Sequence, residues 1–297
     1  MKKRIILYIL IVDLILFGIS SMLLENKKSY NSTDNVIATS ELANYKNIYY
    51  KNKDYKFVQN SNVKVINNKQ DFLNLFYTML NNGYDFYDFK CSNKYSTCGS
   101  DIINTLNDTN TINVINNLVN TYNSTNGKFR FNYLSNGDIR IYADKKYSYE
   151  EINYLNTNTN YIISIITNNK MNDEEKIRKV HDYLTNNINY SYGYKADNAY
   201  TALTQGYAIC GGYADAFSIF MDKLGIDNYK VVSNNHVWNV VYINNEWKHI
   251  DLTWDDPKNN YSINNINYDY YLISTNKLRS NDLTEHNFNL NIYSELA

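Results

Sequence analysis

The sequence predicts an α+β fold: a helix bearing a cysteine packs on an antiparallel sheet bearing a histidine and an aspartate, with a smaller α+β region ahead of it. Three observations predict this. In "CGGYADAFSIFMDKLG", Tyr213, Phe217, Phe220, Met221 and Leu224 share one helical face, and Gly225 ends the helix. The segments "YKVVS", "HVWNVVYI" and "EWKHIDLTW" that follow read as strands. Upstream, helical stretches flank "KFRFNYLSNGDIRIYAD", which alternates around Asn136-Gly137 as a hairpin does.

The chain has 297 residues, room for one or two folded units. Its 31 tyrosines and single proline accompany asparagine at about one residue in six, far above ordinary usage. A compositional bias of the genome explains that excess, so the many Asn-Asn pairs carry no functional weight. The net charge is -1 with both signs scattered, and no basic stripe invites nucleic acid.

Residues 1–28 read as a signal-anchor or signal peptide. Lys2, Lys3 and Arg4 precede an apolar run from Ile5 to Leu24, broken only by Asp13 and long enough to cross a bilayer. The stretch "GISSM" has no clear cleavage site, so an uncleaved anchor is favoured. The expectation is a membrane-anchored or secreted protein with its body outside the cytoplasm. Residues 29–60 are polar and aperiodic, a tether.

Residues 61–165 form the smaller α+β region. "KQDFLNLFYTMLNNG" predicts a helix through Phe72, Leu73, Phe76 and Leu80, ending at Gly83, and "TINVINNLVNTYN" a second. Cys91 and Cys98 bracket a short polar loop and pair in an oxidising compartment; two free thiols are the alternative. The pairing leaves Cys210 as the lone thiol.

Residues 166–297 form the core carrying the chemistry. "YSYEEINYLNTNTNYIISIITNN" predicts a helix leading up to this boundary and "NDEEKIRKVHDYLTNNINYS" one that opens the core, capped by Asn172 or Asp173, with His181 on its apolar stripe. The pair Asn244-Asn245 suits the positive φ angles of a two-residue hairpin turn. That turn sets Ile243 opposite Glu246, Tyr242 opposite Trp247 and Trp238 opposite Asp251, so His236 and Asp251 become diagonal neighbours on one face. The other face, with Val237, Val241, Ile250 and Leu252, is expected to meet the core. If the helix starting at Cys210 lays its N-terminus over the first face, a Cys-His-Asp relay results. A thiol beside an imidazole or a helix N-terminus reaches a useful thiolate fraction at neutral pH. Gly211 and Gly212 are expected to let a substrate carbonyl approach the first N–H groups of the helix.

The three motifs "AICGGYADAF", "NHVWNVV" and "HIDLTWDDP", in this order and spacing, resemble those of the transglutaminase-like superfamily, which shares a papain-like core. The likeness runs from about Asp173 to "YLISTNKLRSNDLTEH". It implies Cys210 as nucleophile, His236 as base and Asp251 as the residue orienting it, with Trp238 in the wall beside the histidine. Gln205 and Tyr207 in "TQGYAIC" are the side-chain candidates for the oxyanion site, a structural role in the loop being the alternative. No cofactor and no metal are called for. Asp255 and Asp256 read as a solvated turn leading to Pro257, His249 as the rival base, His181 as a satisfied semi-buried residue, and His286 as lining the cleft or capping the last segment. The resemblance implies acyl transfer through a thioester on a peptide or protein substrate, with hydrolysis of peptide or isopeptide bonds ahead of Gln-Lys crosslinking. A non-catalytic peptide-binding surface protein is the rival from another class.

Overall fold

The first half of the chain is built on a mixed four-stranded sheet in the order β1-β2-β4-β3. Its strands are β1 (Val65–Ile66), β2 (Phe86–Cys91), β3 (Thr125–Tyr133) and β4 (Ile139–Lys145). The computed structural model describes residues 48–191, 196–256, 266–281 and 284–297. The expected membrane segment 1–28, most of the tether and the Pro257 turn lie outside the described residues. All the described residues belong to one unit, Asn47–Ala297. No helix among them is long and apolar enough to cross a membrane.

Helix α1 (Lys69–Asn81) starts where the Asn68 side chain accepts the Asp71 N–H, satisfying one of the donors that a helix start leaves over. Its Phe72 and Phe76 reach Phe89 and Phe129 of the sheet, with ring centroids 5.8 and 4.9 Å apart. Strand β2 is absent from the sequence reading, because its alternation, with Tyr87 and Phe89 buried, is blurred by aromatics on both faces. The β3–β4 hairpin forms as expected, through a longer loop in which Gly137 takes φ 82° and Leu134 N–H reaches Asp138 O at 2.8 Å. Cys91 and Cys98 are bonded, tying the end of β2 to the first residue of α2 (Cys98–Asn107). Helix α3 (Thr109–Leu118) follows, covering most of the stretch expected to be the second helix.

Helices α4 (Tyr149–Ile166) and α5 (Asp173–Asn187) both start in capping boxes, Ser148 with Glu151 and Asn172 with Glu175. A short parallel pair, β5 (Asn189–Tyr190) and β6 (Tyr207–Ala208), brackets α6 (Ala199–Gln205). Helix α7 (Cys210–Leu224) ends at Gly225 in the left-handed region, φ 72°. The last sheet is antiparallel in the order β7 (Asn228–Val232), β8 (Val237–Ile243), β9 (Glu246–Ile250).

The hairpin register is the expected one: Ile243 pairs with Glu246 and Tyr242 with Trp247, across Asn244 and Asn245 at φ 53° and 64°. Two expectations about this sheet are corrected. The segment "DLTW" is not strand, because Asp251 caps a short helix, α8 (Leu252–Asp255), its carboxylate accepting the N–H groups of Thr253 and Trp254. Nor does only one face meet a core. Val241, Ile243 and Ile250 pack with Tyr213, Phe217 and Phe220 of α7. Tyr229, Val231, Trp238 and Val240, on the opposite face, pack with residues of the first half and with Phe288, Tyr293 and Leu296. Helix α7 therefore lies on the face opposite to the one expected. An alternation that predicts one wet face fails where both faces are buried.

The contact of α7 with the sheet contains a buried charge cluster. Asp215, 2% exposed, accepts Lys230 Nζ at 2.5 Å, Lys146 Nζ at 2.8 Å and the Tyr147 hydroxyl at 2.6 Å. Burial alone would raise this carboxyl, but the two ammonium groups outweigh it and hold the pKa at about 2. Asn239, pairing with Lys230 in the sheet, donates to Ala214 O at 3.0 Å and ties β8 to the first turns of α7.

Candidate active site

Cys210 is the first residue of α7 and is half-buried. The cap residue Ile209 has no side chain that can accept the first helical N–H groups, so the positive end of the helix opens at the sulfur. Two close approaches fix this corner. Ile209 N–H donates to Ala196 O at 2.9 Å. A Cβ on Gly211 would lie 3.0 Å from Asp197 O, and one on Gly212 only 2.7 Å from Ala196 O and from the Ala208 Cβ. The glycines are there because segment 196–198 crosses them, which corrects the expectation that Gly211 and Gly212 leave space for substrate. The Gly212 N–H is also taken, by Ile209 O at 2.9 Å.

His236 stands one residue before β8, at the close of a tight turn in which Ser233 N–H donates to His236 O at 2.9 Å. Asp251 stands one residue after β9. The side chains meet beyond the strand ends, with His236 Nε2 on Asp251 Oδ2 at 2.5 Å. Both residues are buried. Cys210 engages the same imidazole: burial alone would lower the pKa of His236, but the charge and hydrogen bond of Asp251, followed by those of Cys210, raise it to about 10. With Nε2 committed to Asp251, Nδ1 is the nitrogen left for the sulfur. The structure thus brings Cys210, His236 and Asp251 together, although α7 packs on the other face, because the contact is made around the end of the sheet.

The remaining candidates have partners of their own. Trp238 is 1% exposed, its ring stacked under His236 at 5.8 Å and its Nε1 donating to His249 Nδ1 at 3.0 Å. It is a buried floor beneath the imidazole, beside the histidine as expected and closed to substrate by its burial. Gln205 and Tyr207 hydrogen-bond to each other near the surface, the Tyr207 hydroxyl donating to the Gln205 side-chain oxygen. His249, the rival base, has its Nε2 against the Thr275 hydroxyl at 3.0 Å, and burial pushes it down to about 3, a neutral ring.

Asp255 and Asp256 are not a solvated turn. Both are buried. Asp255 Oδ2 bonds His181 Nε2 at 3.1 Å, and Asp256 accepts the hydroxyl of Tyr213. Each acid of "DLTWDD" thus anchors α8 to a different element, Asp251 to His236, Asp255 to α5 and Asp256 to α7. Hydropathy could not show this, since a buried, paired carboxylate reads like an exposed one.

One residue beyond the expected three shares the centre. His286 Nε2 bonds Asp251 Oδ2 at 2.9 Å, and its ring lies among Tyr270, Trp238 and Trp254 at centroid distances of 5.1, 4.8 and 5.2 Å. Its signal in the sequence was its place at the end of the last stretch of likeness. The donor atoms of His236, Asp251 and His286 fall within 4.8 Å of one another, a spacing that a metal ion would accept. Their contacts of 2.5 and 2.9 Å are already those of complete hydrogen bonds.

The family model described as the transglutaminase-like superfamily matches residues 162–252. These residues resemble a transglutaminase-like core. They include Cys210, His236 and Asp251, whereas His286 lies outside the match. Solved structures similar to the chain include a TGase, at 15% identity and TM-score 0.34, covering 48% of this chain and 46% of that one. A candidate cysteine protease from Cytophaga hutchinsonii has 15% identity and TM-score 0.30, covering 44% and 63%. A candidate protease from Parabacteroides distasonis has 11% identity and TM-score 0.26, covering 42% and 39%. The chain thus spans less than two-thirds of each of these. No curated protein matches the chain.

Proposed function

We propose that the protein is a cysteine acyl-transfer enzyme that hydrolyses peptide or isopeptide bonds outside the cytoplasm. The observation that carries this is His236 held between the carboxylate of Asp251 and the thiol of Cys210. In the first step His236 Nδ1 takes the thiol proton, and the sulfur adds to the substrate carbonyl. The oxyanion forms at the uncapped start of α7, where backbone N–H groups and the helix dipole favour negative charge. Collapse breaks the C–N bond, and the imidazolium returns its proton to the departing amine, leaving a thioester on Cys210. Water then adds with His236 again taking a proton; the acid leaves and the thiol is restored. Asp251 holds Nε2–H throughout, which keeps Nδ1 free to accept.

The Cys91–Cys98 bridge supports an oxidising location, as does the charge and hydropathy pattern of residues 1–28. The deciding experiment incubates the protein with a peptide library, with and without a primary amine, and reads products by mass spectrometry. Cleavage that requires Cys210 and His236 is expected. Amine adducts without cleavage would replace hydrolysis by transamidation, and no product under either condition would leave a binding protein.

A further inference from the structure

We propose that His286, from the C-terminal segment, is a positioning residue that holds the Asp251 carboxylate in the orientation and protonation state that His236 needs. The inference rests on the catalytic reading above and adds a fourth member to it.

The carboxylate of Asp251 is held from two sides. Oδ1 accepts the backbone N–H groups of Thr253 at 2.9 Å and Trp254 at 3.4 Å, and Oδ2 accepts both imidazoles, His236 at 2.5 Å and His286 at 2.9 Å. Two backbone bonds on Oδ1 alone leave the group free to swing about that oxygen. His286, 1% exposed and enclosed by Tyr270, Trp238 and Trp254, adds a second hold on Oδ2 beside that of His236.

The proton inventory gives the second part of the argument. An ionised carboxylate only accepts, so both imidazoles must present Nε2–H to it. A protonated Asp251 would do the reverse: it would donate to His236 Nε2, force the proton of a neutral ring onto Nδ1, and so block the atom that receives the thiol proton. Burial pushes Asp251 towards that inverted state, and the charge of His236 with the hydrogen bonds of both histidines outweighs it. Among the described residues, other ionisable groups around this centre include Cys210 on α7, Asp255 on α8, His249 on β9, and Tyr270, Arg279 and Glu285 from the segments that follow. Of these, Cys210 engages His236 and His249 is neutral, while Asp255 adds only repulsion. His286, by contrast, hydrogen-bonds directly to Asp251 Oδ2.

The test is alkylation of Cys210 by iodoacetamide, followed by mass spectrometry across the pH range in the full chain. Three forms are compared: wild type, His286→Phe, which keeps a ring in the aromatic box and removes the donor, and His286→Gln, which restores an N–H donor near the position of Nε2. The Phe variant should lose about ten- to a hundredfold in rate, the range for a lost hydrogen bond to a buried charge, and its acid limb should move to higher pH. The Gln variant should regain both. A Phe variant with the wild-type profile, or a Gln variant as impaired as Phe, overturns the inference. So does zinc bound stoichiometrically to the protein as purified and lost on mutation of His286. A wild type no faster than His236→Ala instead removes the Cys-His pair on which the inference stands. Should the Phe variant not fold, histidine-selective 15N spectra of the wild type decide: His286 must be protonated at Nε2, and an Nδ1–H tautomer refutes it.

Discussion

Replacing Asp251 by asparagine changes one atom of the centre and tests the whole arrangement. The amide oxygen can still accept the N–H groups of Thr253 and Trp254 where Oδ1 now does, at 2.9 and 3.4 Å, so α8 keeps its cap. The amide NH2 then replaces Oδ2 and faces two imidazole nitrogens that both need an acceptor. His236 can bond to it only by presenting an unprotonated Nε2, which moves its proton to Nδ1 and away from the work of accepting one. The imidazolium also loses its counter-charge. His236 is held at about 10 in the folded protein against an ordinary 6.5; without Asp251 burial is opposed only by Cys210. Asp251 supplies the largest contributions that favour the imidazolium, so the alkylation rate should fall by at least about ten- to a hundredfold, the range for a lost hydrogen bond to a charged group. The assay is the rate of Cys210 alkylation at pH 7, with the unfolding midpoint as a check on folding. A folded Asp251→Asn protein that alkylates at the wild-type rate would refute the relay.

The same bond predicts a pH dependence of stability. A histidine whose folded pKa is raised contributes stability that is complete below 6.5 and is lost as pH climbs through about 10, so urea midpoints should fall across that window, and His236→Gln should flatten the curve. Asp215→Ala should destabilise by about 3 to 5 kcal/mol, because it strands the buried Lys230. Lys230→Met, which leaves Asp215 with Lys146 and Tyr147, should cost much less; equal costs in chemical denaturation would contradict the account of the cluster. Gly212→Ala should cost about 1 to 3 kcal/mol through overpacking, since its Cβ would meet the Ala196 carbonyl and Ala208 at 2.7 Å. An unchanged melting temperature would show that segment 196–198 yields.

How far the sequence could be read depended on the range of each interaction. The Asn244-Asn245 turn is local, with both residues forced to positive φ, and a turn fixes the register of its two strands. From that register alone His236 and Asp251 fall side by side, which is where the structure places them. The face that receives α7 is not local. It is chosen by what covers the other side, and here the first half of the chain and the C-terminal segment bury Trp238 and Val240, so the rule of one dry face and one wet face pointed the helix to the wrong side. The contact of His236 with Asp251 does not depend on that choice, because both residues sit just outside the strands, at a rim that a helix start can reach from either face. Asp255, Asp256 and His286 failed for a related reason. A carboxylate or imidazole gives no sign in its own neighbourhood that it is buried, and the partners of Asp255 and His286 lie 74 and 35 residues away. Each such pairing is settled by tertiary contacts, and they hold α8, and with it Asp251, against three other elements. The orientation of the acid is therefore a property of the folded core as a whole, not of the motif that contains it.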